Sequence, residues 1–163
     1  MIQLSTTIAL IVSALSSFTA WGMAPHPPAG APLWEPLSGP IEPDNSQRAR
    51  EPWVLREQAV RFVPTVLSAL RDPTSALPEQ VAIRLPDRPE LDLVITSRTS
   101  GTLGSTIVQG RSNHEPAAEL ILSIKGEAVV GTVRVGKQAW RIEHQGDGRH
   151  RVIELDLERL PPD

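Results

Sequence analysis

The chain has 163 residues, a formal charge of −3 and a pI near 5.8, which leaves room for one compact domain and excludes the basic surface that nucleic-acid binding needs. Cysteine is absent, so a disulfide framework, a thiolate nucleophile and zinc–thiolate sites are all excluded. Tyrosine is absent too, and Phe18 and Phe62 are the only phenylalanines, so Val, Ile and Leu must fill the core.

No charged side chain precedes Glu35. The apolar block Ile8–Val12, followed by the small-residue run Ser13–Ala20, predicts a secretory signal peptide over residues 1–22, cleaved after Gly22 with Ala20 at −3. An uncleaved anchor is the competing reading, but residues 8–24 barely reach the length of a bilayer core and are diluted by Ser and Thr. Seven prolines then fall between Met23 and Gln47. Each removes a backbone donor and fixes φ, so residues 23–50 are expected to be a disordered linker outside any helix or sheet interior. Trp34 and Ile41 are its candidate anchors.

The folded domain is expected over residues 51–160, with 161–163 as a tail. Ala59–Val63 reads as a strand ended by Pro64. Thr65–Leu70 then suits a short helical turn with Thr65 as N-cap, broken by Asp72-Pro73. A longer helix from Glu51, kinked at Pro64, competes with this. Alternation at Val81, Ile83 and Leu85, and again at Leu91, Leu93 and Ile95, predicts a hairpin that pairs Ile83 with Leu91 and Val81 with Leu93. A glycine turn at 101–104 leads into a strand at Thr106–Val108.

Three tight turns organise the last third: Lys125-Gly126, Gly136-Lys137 and Asp147-Gly148. Two-residue loops there pair Leu122 with Val129, Val133 with Trp140, Gly131 with Ile142, and Ile142 with Ile153. Leu120, Leu122, Val129, Val133, Trp140, Ile142, Ile153 and Leu155 then share one face. The fold class is mainly β: an antiparallel meander forming a small sandwich or open barrel, with one short helical segment near 65–71.

Candidate chemistry is sparse. His114-Glu115 begins an H-E-x-x-H signature, but position 118 is alanine and the second ligand is missing. His144 and His150 flank the Asp147-Gly148 turn, yet the register above opposes Gln145 to His150 and sends the two rings to opposite faces, as exposed hairpin histidines. No G-x-S-x-G elbow is present. Gly101–Thr106 lacks the Gly-Lys-Ser/Thr ending of a phosphate loop. Glu154 and Asp156 share a face of the last strand and, with Glu158, read as solvated edge charges. No catalytic residue, cofactor or metal ligand is assigned.

Taken together, Arg61-Phe62-Val63, Val81–Asp87, Ser105–Gly110, Leu120–Ile124, Val130–Gly136, Ala139–Glu143 and Gly146–Asp156 resemble the propeptide domain that precedes the catalytic domain of reprolysin-like (adamalysin-type) zinc metalloproteases, especially secreted bacterial ones. The resemblance covers about residues 58–160 and rests on scattered positions. It implies a module that assists folding of a zinc metalloprotease or holds it latent. Without cysteine, a cysteine-switch form of latency cannot operate, so any blockade is expected to be steric, with a tail ending at Asp163 near the cleft. The expectation is an exported, non-catalytic, propeptide-like module in the periplasm or outside the cell, free of the membrane after cleavage. The alternatives are a general β-module that binds a surface protein or glycan, or a remnant of a truncated protease gene.

Overall fold

The computed structural model describes residues 30–38, 51–112 and 117–160. The signal segment, its cleavage point, Ile41, His114, Glu115 and the tail with Asp163 lie outside the described residues. In chain order the elements are β1 (Ala31–Pro32), β2 (Trp34–Pro36), β3 (Val54–Phe62), α1 (Pro64–Arg71), β4 (Gln80–Ile83), β5 (Leu91–Ser100), β6 (Thr106–Arg111), β7 (Ala118–Lys125), β8 (Ala128–Val135), β9 (Gln138–Gly146) and β10 (Arg149–Leu155). They form one mixed sheet in the order β1-β4-β5-β6-β7-β8-β9-β10-β3-β2. The fold is mainly β, as expected, and the sheet curls into a nearly closed barrel.

Closure comes from the segment read as a linker. Strand β1 pairs with β4 in parallel and β2 pairs with β3 antiparallel, so one short stretch of chain touches both ends of the sheet. Leu33 is the crossing point: its N–H donates to Ala82 O while its carbonyl accepts from Val63 N–H. Leu33 and Trp34 are fully buried. The prolines are compatible with this because of where they fall. On the β3 side Leu33 and Leu37 carry the ladder bonds, to Val63 and Ala59. Pro36, opposite Val60, therefore occupies a non-hydrogen-bonded position where no N–H is required. Expecting all of 23–50 to stand outside the sheet was thus an error for residues 31–36, because proline penalises only those positions whose donor the ladder uses.

The hairpin β4–β5 has the expected register, Val81↔Leu93 and Ile83↔Leu91. Strand β3 runs straight into α1, which excludes a helix from Glu51. The N-cap is Val63, with Pro64 in the first turn; Thr65 lies inside the helix, since proline's fixed φ and missing donor suit a helix start. Arg98 on β5 donates to the carbonyls of Ala69, Pro73 and Ser75 and so pins the helix end and its following loop.

Of the three late turns, Gly136-Lys137 is as expected, with Val133↔Trp140 and Gly131↔Ile142. The first loop is instead Gly126-Glu127, Gly126 taking a positive φ of 62° at the first central position. Leu122 therefore faces Gly131. This shift of two residues leaves every face unchanged. The third turn does use Asp147-Gly148, both at positive φ as a type I′ turn requires. It is followed, however, by a bulge between Arg149 and His150, with Gly146 at φ 89°. Arg149 pairs with Gly146 and His150 with His144, so Gln145 is the extra residue.

That one residue inverts β10. Val152 now opposes Ile142 and joins the barrel core, whereas Ile153 and Leu155 lie on the other face. Ile153 is still fully buried, flanked by Arg141 and Glu57 on the adjacent strands. Over this outer face runs an ion-pair ladder: Arg141 with Glu51 and Glu143, and Arg151 with Glu143 and Glu57. The inner core is Leu120, Leu122, Ile124, Val129, Val133, Trp140, Ile142 and their neighbours from β3 to β6. Gly131 is required where β7 and β8 pass closest, because an added Cβ would lie 2.2 Å from Ile121 O.

Candidate functional site

The inward face of β10 carries His150, Val152 and Glu154. Two polar groups are thus held at the ends of an otherwise apolar strip, roughly 13 Å apart at a strand's rise per residue. Each sits in a different setting.

Glu154 is buried and not a solvated edge charge, because β10 is an interior strand between β9 and β3. Its Oε1 accepts from Gln138 Nε2 at 3.1 Å, and Oε2 lies 3.8 Å from Arg56 Nε. Arg56 also pairs with Asp87 in the β4–β5 loop, from which Arg88 reaches over the Trp140 ring. Asp156, expected to share the Glu154 face as a solvated charge, ties down the chain end instead: its backbone N–H donates to Trp53 O and its carboxylate pairs with Arg159. These contacts tie β10 to β9, β3 and the β4–β5 loop.

His150 stands at the other end and is 1% exposed. Its neighbour is His144, whose Nδ1 lies 3.2 Å from His150 Nε2. The two rings that a plain two-residue loop sends to opposite faces are brought into contact by the bulge, and His150 is not an exposed hairpin histidine. The sequence did carry a signal for this. Gly146, at positive φ beside the Asp-Gly turn, fits the known use of glycine at bulges. Val129 N–H donates to His150 Nε2 at 3.1 Å, so that nitrogen is an acceptor and the ring proton resides on Nδ1. Nδ1 is buried and makes no hydrogen bond of ordinary geometry, although the backbone of Gly148 and Glu127 lies near the ring. Burial, then the neighbouring His144, push the His150 pKa down from 6.5 to about 4, against an opposing pull from the backbone of Gly148 and Glu127. The imidazole is therefore neutral near pH 7.

An aromatic row connects this end to the closing segment. Trp34 meets Phe62 edge-on at 5.5 Å, and Phe62 meets His150 edge-on at 4.7 Å. The Trp34 indole N–H donates to Arg84 O.

Beside His150 lies a half-open pocket of about 320 Å³, formed by the end of β3, by α1 and by the β7–β8 and β9–β10 turns. Phe62, Pro64 and Leu67 form its apolar wall. Arg61 and Arg71 stand at its rim beside Glu127 and Asp147 from the two turns. Ser68 shares the lining, but no triad is formed with His150 and Asp147. The acceptor nitrogen of His150 is committed to the Val129 amide, and the other ring nitrogen bonds to neither side chain.

Elsewhere, Gly101–Thr106 forms the turn between β5 and β6, with Ser105 Oγ donating to Thr102 O. Among the described residues no group of three or more His, Asp or Glu side chains is placed to hold a metal ion, and no helix is long and apolar enough to cross a membrane. Comparison with known protein families, with characterised proteins and with solved structures finds no match to this chain.

Proposed function

We propose that this chain is an exported, non-catalytic binding module whose recognition surface is the pocketed end of the barrel. The observation that carries this reading is the buried, unpartnered Nδ1–H of His150 beside a half-open pocket with an apolar wall and a charged rim. A pocket of this kind, at the mouth of a β-barrel, is where a small group or a partner's side chain is accommodated.

A narrower reading takes the partner to be a zinc metalloprotease, which the module would help to fold or hold latent. Its support is the residue pattern running from Val130 to Asp156. In the barrel this stretch supplies β8–β10, with Gly131 at the close strand approach and Val133, Trp140 and Ile142 in the core. These are positions that specify a fold, so the pattern supports kinship of architecture more directly than choice of partner. The test is co-expression of the full chain with an H-E-x-x-H metalloprotease encoded beside it. Co-purification, with slowed peptide hydrolysis or a raised yield of folded protease, is the expected outcome. An intact protease with unchanged yield and activity and no complex would reject the protease partner and leave a general periplasmic or extracellular binding module.

A further inference from the structure

We propose that the pocket between α1 and the β7–β8 and β9–β10 turns binds a single carboxylate carried on a short apolar stem. This rests on the binding-module reading and names the ligand class for its site.

The volume, about 320 Å³, lies at the small end of pockets that hold ligands. The stem is accommodated by Phe62, Pro64 and Leu67. The carboxylate is selected by rim donors that keep N–H groups to spare. His150 backs the pocket with its Nδ1 buried, close to the backbone of Gly148 and Glu127, and its tautomer is set by the bond from Val129 N–H. At the rim, Arg61 has no ion-pair partner among the described residues, and Arg71 donates only to Gly126 O. Both guanidinium groups keep free N–H donors in the fork geometry that matches a carboxylate. Glu127 and Asp147 are likewise outside any ion pair among the described residues, and they balance the arginines. The rim is therefore neutral in sum, which accommodates one negative charge and disfavours a dianion such as phosphate. An uncharged amide loses the charge-assisted bonds that a carboxylate gains. A free carboxylic acid and the terminal carboxylate of a peptide ending in an aliphatic residue share this chemistry.

The test is a titration of the full chain followed by NMR, using 4-methylpentanoate, its amide, inorganic phosphate, and a short peptide ending in leucine with a free or an amidated terminus. Saturable shifts of the His150 ring and the Val129 and Gly148 amides are expected with the carboxylates. Binding of the amides and of phosphate is expected to be at least tenfold weaker. The exposed double substitution Arg61→Ala, Arg71→Ala is expected to weaken carboxylate binding at least tenfold, with an unchanged thermal transition. Response to the free acid alone assigns the ligand to small acids, and response to the peptide alone assigns it to chain termini; either supports the pocket. Absence of saturation with every carboxylate, equal binding of the amides, preference for phosphate, or undiminished binding by the double variant overturns the proposal. None of these outcomes bears on the co-expression result, so the two readings fail separately.

Discussion

His150 shows how one side chain can set the pH response of the barrel. The ring is neutral at pH 7 and buried against His144, with Arg61, Arg71, Glu127 and Asp147 as the charged groups lining the adjoining pocket. The unfolded chain takes up this proton near pH 6.5, the folded chain only near 4. Between those values the unfolded state holds more protons, so stability is complete above about pH 6.5 and falls as the pH drops towards 4. The slope reaches about 1.4 kcal/mol per pH unit, roughly 3 kcal/mol in all. His150→Gln retains an acceptor for Val129 N–H but does not titrate. Denaturant unfolding at pH 7 and pH 4.5 is expected to show the variant losing about 2 kcal/mol less than the native chain over that interval; equal losses would refute the assignment. That two histidines flank the turn is plain in the sequence. That they touch is not, because contact depends on one unpaired residue, Gln145, which shifts the count between them.

Among the elements, the meander was legible because its signals are local. Period-two alternation and the glycine turns define β7, β8 and β9, and the face of each survives even where the first loop shifts by two residues. Strand β10 was misplaced because a bulge changes the count by one, which reverses a face. Deletion of Gln145 makes the point testable. Without the extra residue, either Ile153 and Leu155 turn into the core and His150 turns out, or the hairpin strains to keep its register. Both routes are expected to cost about 2–3 kcal/mol, whereas Gln145→Ala at the same exposed position should remain within about 0.5 kcal/mol. Thermal unfolding, with the His144–His150 ring contact followed by NMR, reads both effects. The helix starts two residues earlier than Thr65 as N-cap predicts, because the proline that ends β3 is also well suited to the first turn of α1.

At the scale of the whole molecule, the decisive feature is that residues 31–37 bridge β4 and β3. A sheet without this segment would expose two unpaired edges, which invite association with other chains. A chain beginning at residue 51 is therefore expected to associate in a concentration-dependent way or precipitate, whereas one beginning at residue 23 remains monodisperse by light scattering. Trp34→Ala in the full chain removes the largest buried side chain of the seam and its bond to Arg84 O. The expected cost is about 3–5 kcal/mol, a large share of the stability typical of one domain. An unaltered unfolding midpoint would mean that the segment is not part of the folded unit.

The amino-acid sequence by itself determined the mainly β class, the β4–β5 pairing, the β8–β9 hairpin and most of the core face, because alternation and turn chemistry act between residues close along the chain. Only the tertiary structure decided the closure of the barrel, the facing of β10 and the meeting of His144 with His150. Closure joins Leu33 to Ala82 and Val63, far apart in sequence, and depends on whether each proline falls where the ladder needs a donor. The pocket follows from the same non-local facts, since its walls come from β3, α1 and two turns that approach one another only once the sheet has curled.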